Sequence, residues 1–179
     1  MLSVEELNEK IRNVPDFPIK NVMFKDITTL LTHPGALSDT VEHMERLCGG
    51  FSYDAVAAIE SRGFIFGSVL AARLSLPLVL IRKAGKLPAE TLSQEYTLEY
   101  GTNTVEMHRN SLPSKSRVLI VDDLIATGGS AAAAASLLRK DGCHVAGAVF
   151  VIDLEFLGGG AKLSKDGIDY KALIRVEGE

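Results

Sequence analysis

Apolar and polar positions along the chain alternate between helical and strand periods. Val4, Leu7 and Ile11 share one helical face behind the capping box Ser3-Val4-Glu5-Glu6, which predicts a helix over 3–13 stopped by Pro15 and Pro18. From Phe17 to Thr29 the period is lost; Val22, Met23 and Phe24 beside Lys25 and Asp26 read as a packed arm or lid. Leu37, Val41, Met44 and Leu47 restore helical spacing after Pro34, until Gly49-Gly50. Ala55 to Ile59 reads as a short strand ending at Glu60. Phe64 to Ala72 reads as a helix apolar nearly all round, buried on both sides or lying in a subunit interface. Leu78 to Ile81 is the next strand, with Arg82-Lys83 at its end. Residues 83–104 turn polar, and the alternation of Tyr96, Leu98 and Tyr100, then Val105 and Met107, predicts a flexible two-stranded flap. Val118 to Val121 is a strand buried on both faces, and Ala131, Ala134, Ala135 and Leu138 mark the helix opened by Ser130 and ended by Gly142. A strand over Val145 to Ile152, a loop at Leu157 to Gly160 and an edge strand at Ala172 to Ile174 complete the chain.

This order predicts a single α/β domain over 1–179, with a mainly parallel central sheet flanked by helices. Parallel strands end on one side, so Glu60-Ser61-Arg62, Arg82-Lys83 and Asp122-Asp123 converge there. Asp122-Asp123 leaves its strand facing the next helix, and Thr127, Gly128 and Gly129 can turn backbone N–H groups towards an anion. Acids for hydroxyls beside an anion cradle point to a sugar phosphate. Two other readings stay open: acids that merely cap the turn, and a magnesium-dependent phosphoacceptor pocket. Neither a G-x-x-x-x-G-K-[ST] loop nor a G-x-G-x-x-G fingerprint is present.

Composition narrows the partners. With 179 residues, 46% hydrophobic and 23% charged, the chain suits one globular domain. A net charge of -4 argues against nucleic acid as a partner. No apolar run approaches the roughly 18 residues of a membrane span, and Met1-Leu2-Ser3-Val4-Glu5-Glu6 is unlike a targeting peptide. Cys48 and Cys143 make neither a disulfide framework nor a metal-spaced cluster, and a cytoplasmic protein is expected.

Val118 to Ser130 resembles the phosphoribosyl-diphosphate signature of the type I phosphoribosyltransferases: an apolar strand, two acids, then Ala-Thr-Gly-Gly-Ser. The stretches Phe17-Pro18, Val22 to Ile27, Glu60 to Phe64, Ile81 to Pro88 and Leu98 to Gly101 narrow the resemblance to the adenine phosphoribosyltransferases. It implies that fold, with a small N-terminal hood (1–33) and a β-flap, and the salvage reaction of adenine with 5-phosphoribosyl diphosphate to give AMP. By resemblance, Ala126, Thr127, Gly128, Gly129 and Ser130 hold the 5-phosphate, while Asp122 and Asp123 face the ribose hydroxyls. Ser61, Arg62, Arg82, Lys83 and Lys86 surround the diphosphate. Adenine sits between Phe24 and Leu124, read by the backbone of Met23 and Lys25, with Glu99 near N7 as a proton donor or acceptor. The resemblance further implies magnesium held by the substrate rather than by protein side chains, a non-proline cis peptide at Ser61–Arg62, and a homodimer. Asn21 stands where a glycine is common, Lys25 where an arginine is usual, and Ser130 where a threonine is usual. Two rivals remain at this stage, a 6-oxopurine transferase and a regulatory phosphoribosyl-binding domain; the second calls for a DNA-binding extension, at odds with the acidic charge.

Overall fold

The computed structural model describes residues 1–98 and 101–178. In chain order the elements are α1 (Val4–Glu9), β1 (Arg12–Val14), β2 (Phe24–Asp26), α2 (Thr28–Leu31), α3 (Ala36–Cys48), β3 (Ala55–Ile59), α4 (Gly63–Leu74) and β4 (Leu78–Lys83). There follow β5 (Thr91–Leu98), β6 (Gly101–His108), β7 (Arg117–Ile125), α5 (Gly129–Lys140), β8 (His144–Leu154), a short 3-10 turn (Glu155–Leu157), α6 (Gly159–Lys165) and β9 (Tyr170–Val176). The main sheet runs β5-β6-β4-β3-β7-β8-β9, parallel from β4 to β9, with the β5–β6 hairpin antiparallel at one edge.

From β3 the chain crosses first to β4 on one side and then, after the hairpin, to β7 on the other. That reversal is a topological switch point, which opens a crevice beyond the strands' C-terminal ends. The two following helices lie on opposite faces. Phe66 and Leu70 of α4 pack with α1–α3 on one face, and the alanines of α5 with Leu163 of α6 fill the other. Gly67 lets α4 lie tight on the sheet: a Cβ there would stand 2.6 Å from that of Ala58.

Several expectations need correction. The first helix ends at Glu9 and Arg12–Val14 instead pairs antiparallel with Phe24–Asp26, so the irregular arm contains a small hairpin and α2. β7 does not stop at Val121 but runs through the acids to Ile125, because β8 keeps pairing with it after β3 has ended. β4 likewise includes Arg82 and Lys83. Gly158 to Gly160, expected as loop, starts α6. The non-proline cis bond lies one peptide earlier than expected, at Glu60–Ser61.

Candidate active site

A cleft of about 280 Å³ occupies the switch point, lined by Glu60, Ser61, Arg62, Lys83, Tyr96, residues 122–131 and Phe150. Its floor exists because β3 is short: past the Ala58–Val121 pair, β7 has a neighbour only in β8, and its other edge opens to the cleft. Asp122 and Asp123 sit on that open stretch, both buried. Asp122 Oδ1 accepts the backbone N–H of Asp123 at 2.9 Å. Burial, and then the charge of Asp123, push the Asp122 carboxyl well above the ordinary carboxylate range.

Arg62 reaches across from the start of α4. Its Nε donates to Asp123 Oδ2 at 2.5 Å, and its guanidinium lies 5.7 Å from the centre of the Phe24 ring. Burial opposes the Arg62 charge, but Asp123 more than offsets it and raises the pKa. One side chain thus ties the N-terminal arm to the acid pair. Phe24 also meets Phe17 edge-on, with centroids 5.0 Å apart. The arm itself is pinned by Asp26: the Thr28 backbone N–H, then Arg12, lower its pKa to about 2. Lys25 Nζ donates to Asn13 Oδ1 along the hairpin, at 2.8 Å. Asn21 adopts the left-handed region (φ 68°), which explains why glycine also suits that position; asparagine is among the side chains that tolerate it best.

Glu60 clamps the ends of β3 and β4. Its Oε2 accepts from Arg82 Nε at 3.1 Å and from Lys83 N at 3.0 Å, and these bonds outweigh burial to lower its pKa. Arg82 also donates to the Lys86 carbonyl at 3.0 Å. Beyond the acids, Gly128 turns left-handed (φ 76°) and α5 begins, so residues 126–130 present their backbone to the cleft at a helix N-terminus.

Of the expected residues, the cleft brings together Ser61, Arg62, Lys83, Asp122, Asp123, Leu124, Ala126, Thr127, Gly128, Gly129 and Ser130. Arg82, Lys86, Met23, Phe24 and Lys25 do not line it, though Phe24 connects to it through Arg62. Glu99 lies outside the described residues. Sequence reasoning assigned no role to Glu60, Tyr96 or Phe150. Tyr96 had a signal, its place in the alternating flap pattern; Phe150 had none within its uniformly apolar strand.

Acids at the switch point, a basic rim and the backbone at the start of α5 thus share one cleft. The phosphoribosyl transferase domain family matches residues 28–174, and the chain belongs to that family. A protein of Sorangium cellulosum named adenine phosphoribosyltransferase is 54% identical over 89% of this chain and 80% of its own length. The crystal structure of adenine phosphoribosyltransferase from Thermoanaerobacter pseudethanolicus, 46% identical, superposes with a TM-score of 0.94, covering 97% of this chain and 100% of that one. That from Saccharomyces cerevisiae, complexed with an imino-altritol bisphosphate and adenine, is 37% identical with a TM-score of 0.87, covering 95% and 97%. Within the family, the chain is grouped with the adenine phosphoribosyltransferases.

Proposed function

We propose that the chain transfers the phosphoribosyl group of 5-phosphoribosyl diphosphate to adenine, giving AMP and diphosphate in purine salvage. The carrying observation is that Asp122, Asp123 and the 126–130 turn share one cleft with Arg62 and Lys83. The backbone N–H groups of 126–130 hold the 5-phosphate, with the Thr127 and Ser130 hydroxyls beside them. Asp122 and Asp123 receive the ribose hydroxyls, and Asp123 favours the positive charge that develops on the ribose as the C1–O bond breaks. The electron pair leaves on diphosphate, towards Arg62 and Lys83, while adenine N9 bonds to C1. Arg82, held by Glu60, keeps the turn carrying Lys83 and Lys86 in place at the diphosphate. Adenine lies between Phe24 and Leu124. Backbone groups of Met23 and Lys25 read its edge, which distinguishes a 6-amino from a 6-oxo base. Adenine reacts with its imidazole proton on N7, which Glu99 accepts as the N9 lone pair bonds to C1.

Among the described residues no three His, Cys, Asp or Glu side chains converge as a metal cage, and Asp123 is engaged by Arg62. That donor set fits magnesium carried in on the substrate rather than a resident ion. Bound that way, magnesium would neutralise part of the diphosphate charge beside Arg62 and Lys83. Two free, buried cysteines fit a reducing, cytoplasmic setting, and no helix of the described residues is long and apolar enough to cross a membrane.

The deciding assay offers adenine, hypoxanthine, guanine or xanthine separately, with magnesium and phosphoribosyl diphosphate. AMP from adenine alone is expected; XMP from xanthine without AMP would replace this reading with the 6-oxopurine one.

A further inference from the structure

Behind the 126–130 turn, away from the cleft, lies the start of α6, and the contact is backbone against backbone. A Cβ added at Gly128 would stand 2.9 Å from the Gly159 carbonyl oxygen, and one at Gly159 would stand 2.9 Å from the Gly128 nitrogen. The next residue, Gly160, lies against the hydroxyl end of the Tyr170 ring: a Cβ there would meet the hydroxyl oxygen first, then Cζ, and would stand 2.7 Å from Cε1. Any side chain at these three glycines would push the layers apart.

Tyr170 is itself held in place. Its hydroxyl donates to Asp153 Oδ2 at 2.9 Å, and its ring meets Phe150 edge-on, 6.3 Å between centroids. Phe150 lines the cleft and pairs with Asp122 across the β7–β8 ladder. Asp153 is fully buried at 0% exposure, and its Oδ1 has no hydrogen-bond partner among the described residues. A buried carboxyl with one unpaired oxygen costs stability, so an apolar pair of similar size would fold at least as well. What the hydrogen bond adds is orientation: it fixes the ring against Gly160 in one position.

We propose that Tyr170 and Asp153 are positioning residues for the phosphate-binding turn, setting through Gly160 and Gly159 the backbone curvature of 126–128. The proposal rests on the reading of 126–130 as the 5-phosphate site. It predicts an effect confined to ligands that carry that phosphate.

The test compares inhibition by AMP with inhibition by inorganic diphosphate in wild type, Tyr170→Phe, Asp153→Asn and Thr127→Ala, with melting temperatures in parallel. Tyr170→Phe keeps the ring and removes the hydroxyl. It is expected to weaken AMP about threefold to tenfold and to raise KM for phosphoribosyl diphosphate similarly, the value of one hydrogen bond. Diphosphate inhibition and kcat at saturation should stay within about twofold of wild type. Asp153→Asn keeps an acceptor for Tyr170 and should preserve AMP affinity. If Tyr170→Phe alone does not fold, Asp153→Leu combined with Tyr170→Phe removes both polar partners and carries the same test. A melting-temperature loss with no change for AMP, or equal weakening of AMP and diphosphate, overturns the positioning role. Thr127→Ala separates the two layers: if it weakens AMP and Tyr170→Phe does not, only this proposal falls. If Thr127→Ala leaves AMP untouched, the 5-phosphate reading falls and this proposal with it.

Discussion

Arg62 divides its guanidinium between Asp123 and the face of Phe24, so the two acids live in different surroundings although adjacent. Asp123 has a counter-charge; Asp122 has chiefly burial, which holds its carboxyl above its ordinary value of 3.8. An acid raised in the fold favours folding while protonated. That contribution is complete below the unfolded value and is lost as pH rises through the folded one. Relative to Asp122→Asn, wild type should therefore lose melting temperature as pH rises above about 4, the ordinary carboxylate value. A gap independent of pH would contradict this account. Asp123→Asn in the same series should cut turnover about a hundredfold or more, the scale of a lost transition-state charge contact. Its stability cost should be about 1 kcal/mol or less, since the Arg62 side chain is 43% exposed and water screens the pair. Parallel loss of stability and activity would instead mark Asp123 as a turn cap.

The elements that aim these residues are held by close approach more than by side-chain bulk. Gly67→Ala puts a methyl 2.6 Å from the Ala58 Cβ, and α4 must rise off the sheet. The expected cost is about 1–3 kcal/mol, with a raised KM for phosphoribosyl diphosphate because Arg62 begins that helix. Unchanged stability in thermal melts would show that the contact relaxes freely. The same closeness explains which elements were legible beforehand. β3, β8 and the helices α3 to α5 declare themselves through apolar period, and the acids and glycines of 122–130 through residue type. The far end of β7 was hidden because charge interrupts its apolar run while β8 still supplies hydrogen bonds. α6 was hidden because three glycines signal a loop, although here Gly158 turns left-handed before the helix while Gly159 and Gly160 serve contact with Gly128 and Tyr170. β1 and β2 were hidden because three residues are too few to show alternation. Among site residues, Glu60 shows its part only in three dimensions: its partners Arg82 and Lys83 lie on another strand.

At the scale of the molecule, β4 carries a feature the isolated chain leaves uncovered. It is an interior strand, yet Leu78 and Leu80 are 37% and 38% exposed on one face while Val79 and Ile81 are buried on the other. Together with the apolar α4 beside β3, that face suits the homodimer that the family resemblance implies, and we propose it as the contact between two copies. Sedimentation should give twice the chain mass, and Leu80→Glu should shift the protein towards monomer; a wild-type monomer at micromolar concentration would refute the proposal.

The pairing of β3 with β7 has a consequence for how the protein comes to be active. Asp54 and Arg117, 63 residues apart in sequence, hydrogen-bond at the near end of that pairing, and the cleft opens at its far end. Closing so long a loop is entropically unfavourable, so non-local pairing of this kind slows folding. Until it forms, the acid pair and Arg62 belong to separate halves of the chain. Affinity for phosphoribosyl diphosphate is therefore a late reporter of folding, and a saturating ligand stabilises the pairing that brings the acid pair beside Arg62.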